Sequence, residues 1–466
     1  MPLTPEAQAL AVIVVGVVIL WITEALPLAV TALLGAVACV LAGVAPAREV
    51  FAPFADPLIF LFIGSFILAE AIRIHRLDRR LAFAVLSLPG VGERPGRILA
   101  AVAVVCCLAS AFLSNTCTTA MMLAIVSGII TAIEEAAGAS GHTPRPGFAT
   151  GLLLCVAFAS SIGGLATPIG TPPNLIGLGF IRNQLGVEVS FPGWCGIGVP
   201  IVVLLTSFTV VLLGRMFPAG VDRLEGVAEF VTSQRAGLGP WTTAQKSTAL
   251  AFAVTVVLWV LPGVVLAARG PSDPAAVLLK QRLPEGVAAL VGAILLFLLP
   301  GGGPGERRRA LLWTEARIDW GIVLLYGGGM ALGTLCFSTG LAAALGGSIQ
   351  GLVPTGSWGG PVLVLLAAIV AVTTSEFTSN TASANIVVPV AIALGTAAGA
   401  DPLVAALAAT FAASLGFMMP VSTPCNAIVY GSGRIPLRSM MAAGILLDLA
   451  GVAVITTAML LVARLW

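Results

Sequence analysis

Twice in this chain a Ser-Asn-Thr triplet interrupts an apolar stretch: Ser114-Asn115-Thr116 within about 99–137, and Ser379-Asn380-Thr381 within about 361–398. Each triplet is followed by a second break, Thr171-Pro172-Pro173-Asn174 in the first case and Thr423-Pro424-Cys425-Asn426 in the other. The copies are offset by 265 residues at the triplet (114 to 379) and by 252 at the Thr-Pro-x-Asn break (171 to 423). Backbone that leaves the helix inside hydrocarbon must have its freed N–H and C=O groups satisfied by protein, water or ligand. Two such interruptions, repeated in the same order, restrict the fold to a duplicated helical membrane protein with broken elements.

Composition agrees with that solvent. Hydrophobic residues make up 58% of the chain and charged residues 9%, which leaves no room for a soluble domain. The longest polar stretch, Arg215 to Lys246, is too short to bury a core. Eight cysteines lie mostly in apolar runs without metal-ligand spacing and read as small core residues. His75 and His142 are isolated, and Asp448 has no second aspartate beside it. No nucleophile–base pair or metal centre is legible, so an enzyme is not expected, and neither is a nucleic-acid partner. The opening residues lack a basic start and a small-residue cleavage pattern, so the leading helix is expected to be retained.

Apolar spans fall at about 8–24, 27–44, 57–72, 148–181, 194–214, 248–268, 286–300, 320–340, 402–430 and 440–464. The stretches at about 99–137 and 361–398 leave arms of about 15 residues on either side of the triplet, short of the about 20 needed to cross. The economical reading is a re-entrant hairpin with a polar tip near mid-membrane. Each half then has five crossings and one hairpin, and because five is odd the halves must be inverted. The expected fold is all-α and polytopic, with a first repeat over 1–214, a cytoplasmic linker over 215–247 and a second repeat over 248–466. The broken helices at about 148–181 and 402–430 would lie at the midplane. Basic residues give an independent test. Arg73, Arg76, Arg79, Arg80, Arg94 and Arg97, then Arg215, Arg223, Arg235 and Lys246, then Arg307, Arg308, Arg309 and Arg317, then Arg434 and Arg438 all fall on one side. Leu341 to Gly360 has no Lys or Arg, and the loop with Arg269, Lys280 and Arg282 is the exception. Both termini are expected outside.

Ser, Asn and Thr cap helix starts, and helix starts attract anions. Proline and glycine at the breaks free carbonyls, which are hard ligands suited to sodium. The tips and breaks contain no Lys or Arg. An anion site there must take positive charge from helix ends and bound cations, which couples the two binding events. Any one such motif is more often packing glue in a membrane helix; it is the ordered duplication that favours a site. Glu24, Glu70, Glu376 and Asp448 lie in or near apolar segments, and both a functional and a capping role remain open for them.

The segments SNTCTTAMM, IGTPPNLI, FTSNTASANIVVPVAI and MMPVSTPCNAIVYGSGRI resemble the signature segments of the divalent anion/sodium symporters, carriers of dicarboxylates, citrate or sulfate. The resemblance covers nearly the whole chain, WITEALPLAVTALLGAV near its start included. It implies a first sodium site at Ser110, Ser114, Asn115 and a carbonyl near Gly170, and a second at Ser375, Ser379, Asn380 and a carbonyl near Ser422. It implies substrate contacts at Asn115, Thr116, Thr171, Asn380, Thr381 and Pro424. It further implies a homodimer in the lipid of the inner (plasma) membrane, whose hairpin-bearing unit moves as an elevator.

By the resemblance, the activity expected is sodium-coupled symport of a small divalent anion, a C4-dicarboxylate such as succinate, malate or fumarate. Exchange, or carriage of sulfate or a tricarboxylate, stays open. Ser110 and Ser375 are hydroxyl residues with no basic residue nearby, which favours sodium over exchange. Three departures from the family pattern stand out. Cys425 occupies the place of a second proline, Thr167-Pro168 adds one ahead of Gly170, and only two spans precede the one at 57–72.

Overall fold

The computed structural model describes residues 3–140, 144–145, 147–270, 272–303, 306–349 and 358–465. His142 and part of the Leu341–Gly360 loop fall outside that set. The described chain is helical, apart from a single β-bridge between Pro300 and Arg309.

Helix starts follow a local rule. Asp56-Pro57, Asp273-Pro274, Asp401-Pro402, Thr171-Pro172 and Thr423-Pro424 each place a capping residue before a proline at the first helical position, where the missing N–H and fixed φ cost nothing. Asp56 Oδ1 accepts from the Leu58 amide at 2.8 Å and Asp401 Oδ1 from the Leu403 amide at 2.9 Å.

Among the described residues, ten helices are long and apolar enough to cross a membrane. That number matches the ten spans read from the sequence, but the two sets differ. The structural ten include the return arm at 115–138 and both arms of the second hairpin, Gly359–Phe377 and Asn380–Ala398, whereas Leu28–Leu41 has only 14 residues. The arms of the first hairpin, Pro95–Ser110 and Asn115–Ser140, have 16 and 26 residues, and those of the second have 19 each. The expected arm length of about 15 residues is therefore corrected in three of four arms. The stretches at 99–137 and 361–398 themselves hold 15 and 21, and 18 and 17, residues on either side of the triplets, so their outer bounds agree with the structure and only the expected arm length is too short. Chain reversal rests instead on contacts. Ser383 Oγ donates to the Ala371 carbonyl at 2.8 Å across the second tip, whereas 12 residues of straight helix would separate the two by about 18 Å.

The same element order occurs twice, and the two copies pack reciprocally. Leu28–Leu41 lies against Trp320–Ser338, while Pro57–Ile74 lies against Glu285–Leu298. Both contacts are glycine-mediated: a Cβ on Gly64 would meet the Ala289 backbone at 2.7 Å, and one on Gly328 the Ala32 carbonyl oxygen at 2.8 Å. The hairpins, the broken helices, Phe191–Met216 and Leu437–Leu465 form a second packed body. Within it Pro172–Leu185 packs on the return arm of the second hairpin and Pro424–Tyr430 on the return arm of the first. Each break thus touches the hairpin of the other half.

Candidate functional site

Each broken helix is held across its gap by a staple. The first runs over Gly147–Gly163 and resumes at Pro172; the second runs over Pro402–Ala412 and resumes at Pro424. Asn174 Nδ2 bridges the first gap by donating to the carbonyls of Gly164 (2.9 Å) and Thr167 (2.8 Å). Asn426 Nδ2 does the same to Gly416 and Met419, both at 3.0 Å. All four acceptors are freed by the break, and the pairs are related by the same offset of 252. The Asn of Thr-Pro-x-Asn is thus a backbone satisfier, and the freed carbonyls are not all left for a ligand.

What remains open is gathered at the tips. Around the Asn115 amide stand three acceptors: Ser110 Oγ at 2.6 Å, the Gly170 carbonyl at 3.2 Å and the Ser160 carbonyl at 3.3 Å. Two arrangements satisfy such a set: the amide nitrogen turned toward it, or the amide oxygen joining it around a cation. Which way an amide faces is assigned from its network. Oxygens about 3.3 Å apart are what a hard cation with ligand distances of about 2.3–2.6 Å gathers on adjacent vertices. The donor set, hydroxyl, amide oxygen and carbonyl, fits sodium and carries no charge of its own.

The second tip repeats the plan. Ser375 Oγ donates to Asn380 Oδ1 at 2.7 Å and lies 3.0 Å from the Ala413 carbonyl, while Asn380 Nδ2 donates to the Ser414 carbonyl at 3.2 Å. Ser422 Oγ closes the loop by donating to the Gly416 carbonyl at 2.5 Å. Gly416 has φ +153°, and a Cβ there would meet Ser422 Oγ at 2.7 Å and Ser375 Oγ at 3.0 Å. Its counterpart Gly164 abuts Asn115, whose Oδ1 would lie 2.5 Å from an added Cβ. In both halves glycine is what lets the break come up against the tip.

Of the residues expected from sequence, Ser110, Asn115 and Gly170 come together, with Thr171 buried beside them; Ser375, Asn380 and Ser422 likewise. Ser114 and Ser379 have a different task, as their hydroxyls cap the return arms by accepting from the amides of Cys117 and Ala382, each at 3.2 Å. Thr116 and Pro424 are exposed and Thr381 half-buried, so none joins the acceptor clusters. The two halves meet at the Phe158–Phe417 ring pair, with centroids 5.2 Å apart, and where Pro424–Tyr430 packs on the return arm of the first hairpin. Sequence reasoning missed Ser160, Gly164, Gly416 and Ser414; the shared 252 offset could have flagged the glycine pair.

Glu376 and Asp448, left open above, break the symmetry. Both Glu376 oxygens accept backbone amides of the second break, Met418 at 2.8 Å and Met419 at 3.1 Å. The buried Asp448 carboxyl faces Glu376 from the last helix, between Gly444 and Gly451, where an added Cβ would meet Phe417 and Leu415. The matching positions of the first half are Ala111, by the triplet offset, and Val202, four residues beyond the Gly198 that presses on Leu165. The carboxyl pair therefore belongs to the second break alone.

Paired hairpin tips and paired broken helices, holding neutral oxygen clusters inside an all-helical membrane body, define a secondary transporter and not an enzyme. The chain belongs to the divalent anion/sodium symporter family: the profile of the sodium:sulfate symporter transmembrane region matches residues 1–466. It is 32% identical over 441 residues to the sodium-dependent dicarboxylate transporter SdcS of Staphylococcus saprophyticus, covering 93% of this chain and 82% of that one. Against SdcS of Staphylococcus aureus USA300 it is 32% identical over 439 residues, with the same shares covered. Among solved structures it is similar to the YdaH transporter of Alcanivorax borkumensis, with TM-score 0.58 at 15% identity over 90% of this chain and 87% of that one. Similarity to MtrF of Neisseria gonorrhoeae has TM-score 0.55 at 12% identity, covering 88% and 82%. These two likenesses speak to the fold alone.

Proposed function

We propose that the protein imports a C4-dicarboxylate such as succinate, malate or fumarate together with sodium, one sodium site at each tip and the anion between them. The observation that carries this is the duplicated acceptor cluster: Ser110, Asn115, Gly170 and Ser160 in one half, and Ser375, Asn380 and Ser422 in the other. Neither contains a cationic side chain, so anion binding depends on sodium, and sodium binding on the anion by the same factor. The return-arm N-termini at Asn115 and Asn380 add the dipole and unpaired N–H groups that a carboxylate accepts. Thr116, Thr171, Thr381 and Pro424 line the anion's side of the tips in this reading. Relatives named as sodium-dependent dicarboxylate transporters support both the ion and the substrate class.

In the same reading the chain divides into inverted repeats at 1–214 and 248–466, joined by a cytoplasmic linker at 215–247, with re-entrant hairpins opening to opposite sides. Both termini lie outside the inner (plasma) membrane, a placement that the one-sided basic loops support. The hairpin-bearing body slides as an elevator against the helices 28–41, 57–74, 285–298 and 320–338, and two copies form a homodimer in lipid. Uptake of labelled succinate into proteoliposomes, with and without an inward sodium gradient, tests the proposal. Gradient-dependent accumulation is expected. Equal uptake in both conditions with stimulation by internal dicarboxylate would assign exchange, and uptake of sulfate but not succinate would change the substrate.

A further inference from the structure

We infer that two ion pairs, Asp56–Arg182 and Asp319–Arg434, form alternately and hold the sliding body at its two end positions; this rests on the elevator reading above. Arg182 lies near the end of Pro172–Leu185, in the hairpin-bearing body, and its Nη2 contacts Asp56 Oδ2 at the start of Pro57–Ile74, in the other body. Asn183 Nδ2 also reaches Asp56 Oδ2 at 3.3 Å. The Asp56 side chain is 7% exposed and is fixed in place by capping Leu58. A sheltered, anchored, charge-assisted contact between two bodies that slide past one another must break in every cycle. Lys280 Nζ and Glu188 Oε2, at 2.9 Å, bridge the same side of the same gap from exposed positions.

The repeat supplies the counterpart. Arg182 is eight residues beyond Asn174, and Arg434 is eight residues beyond Asn426. Asp56 caps Pro57–Ile74, and Asp319 caps Trp320–Ser338, the helix in the equivalent place, accepting from the Ile322 amide at 3.2 Å. The second pair is open in this structure. Arg434 Nη1 instead contacts Glu134 Oε1 of the first return arm at 2.8 Å, a pair inside the sliding body with side chains 46% and 57% exposed. Such a solvent-screened pair is readily given up. Asp319 is exposed and makes no ion pair among the described residues. In an inverted repeat, the contacts one half makes in one end state are those the other half makes in the opposite state. Closed at Asp56–Arg182 and open at Asp319–Arg434, the structure is one of the two; the other closes Asp319–Arg434 and frees Arg182.

The test is a distance measurement in proteoliposomes between spin labels at Gly138→Cys, on the sliding body, and Thr314→Cys, on the other, in a background lacking the native cysteines. The native protein with saturating sodium and succinate should give two distance populations. Arg182→Gln should shift their ratio at least threefold toward the Asp319–Arg434 state, and Arg434→Gln at least threefold the other way, with the double variant returned near the native ratio. Asp56→Asn, which keeps the helix cap, should follow Arg182→Gln, and Asp319→Asn should follow Arg434→Gln. Two populations whose ratio is unmoved, or moved in one direction by both arginine variants, would overturn the alternating pairs and leave the elevator standing. A single distance in every variant during active uptake would overturn the elevator itself.

Discussion

Gly164→Ala probes the first tip with the least chemistry. An added Cβ would sit 2.5 Å from Asn115 Oδ1 and 3.1 Å from Thr171 Cβ, whereas ordinary carbon contacts lie at about 3.5–4.0 Å. Asn115 must therefore retreat by about 1 Å, away from Ser110, Ser160 and Gly170. Overpacking of this size costs about 1–3 kcal/mol. Because the strained partner is the ligand itself, most of that cost falls on the sodium-bound state, which corresponds to a loss of sodium affinity of about 5- to 150-fold. The assay is the sodium dependence of succinate uptake at fixed anion concentration, with thermal unfolding in detergent to confirm the fold. Gly138→Ala, with nothing within 4 Å of the new methyl, serves as the control and should leave the sodium curve in place. An unchanged curve for Gly164→Ala in folded protein would refute the assignment of Asn115 to a sodium site.

Other consequences follow from the same geometry. Asn426→Ala removes the donor shared by Gly416 and Met419; Ser422 still bonds both carbonyls, through its hydroxyl to Gly416 and its amide to Met419, so the loss is that of two hydrogen bonds, about 1–3 kcal/mol; a Tm within a degree of native would contradict the staple. Glu376→Gln keeps only one acceptor for the amides of Met418 and Met419, so a loss of about 1–2 kcal/mol is expected, read as a fall in Tm; an unchanged Tm would contradict the contact. In the amphipathic helix Leu77–Leu86, outside the spans, burial holds the Asp78 carboxyl above its ordinary value of 3.8, against the opposing hydrogen bond from the Arg79 amide. The folded state therefore binds a proton more readily than the unfolded one, and stability falls as pH rises through that interval. Asp78→Asn should accordingly raise Tm at neutral pH, with the gain disappearing below the ordinary carboxylate value; an equal effect at all pH values would exclude the charge as its cause.

Local chemistry was the legible part of the fold. Apolar runs placed most spans to within a few residues. The amphipathic helices Leu77–Leu86 and Val227–Gly237 were not seen, because they are short and mixed in composition and are held by tertiary docking. Arg80 alone bonds Gln245 Oε1 and the carbonyls of Leu238, Gly239 and Pro240. The outer ends of both hairpins were legible too, 99–137 against 95–140 and 361–398 against 359–398; the arms within them are longer than the expected 15 residues in three cases of four.

At the site, the triplets announced themselves as polar groups in hydrocarbon, and the serine five residues upstream of each Asn entered through family resemblance. The carbonyl near Gly170 entered in the same way, but other partners could not be read. Ser160 contributes a backbone carbonyl, Asn426 reaches a carbonyl ten residues upstream, and Glu376 reaches amides 42 and 43 residues downstream. Side-chain identity says nothing of a carbonyl's direction once the helix around it is broken.

Central to the proposed function is that both tips contribute to one sodium-dependent anion site. Equilibrium binding of labelled succinate to the purified protein, with and without sodium, for the native chain, Asn115→Ala and Asn380→Ala, tests it directly. Binding to the native protein only when sodium is present, and to neither variant, is the predicted result. Binding without sodium, or full binding by either variant, would contradict it.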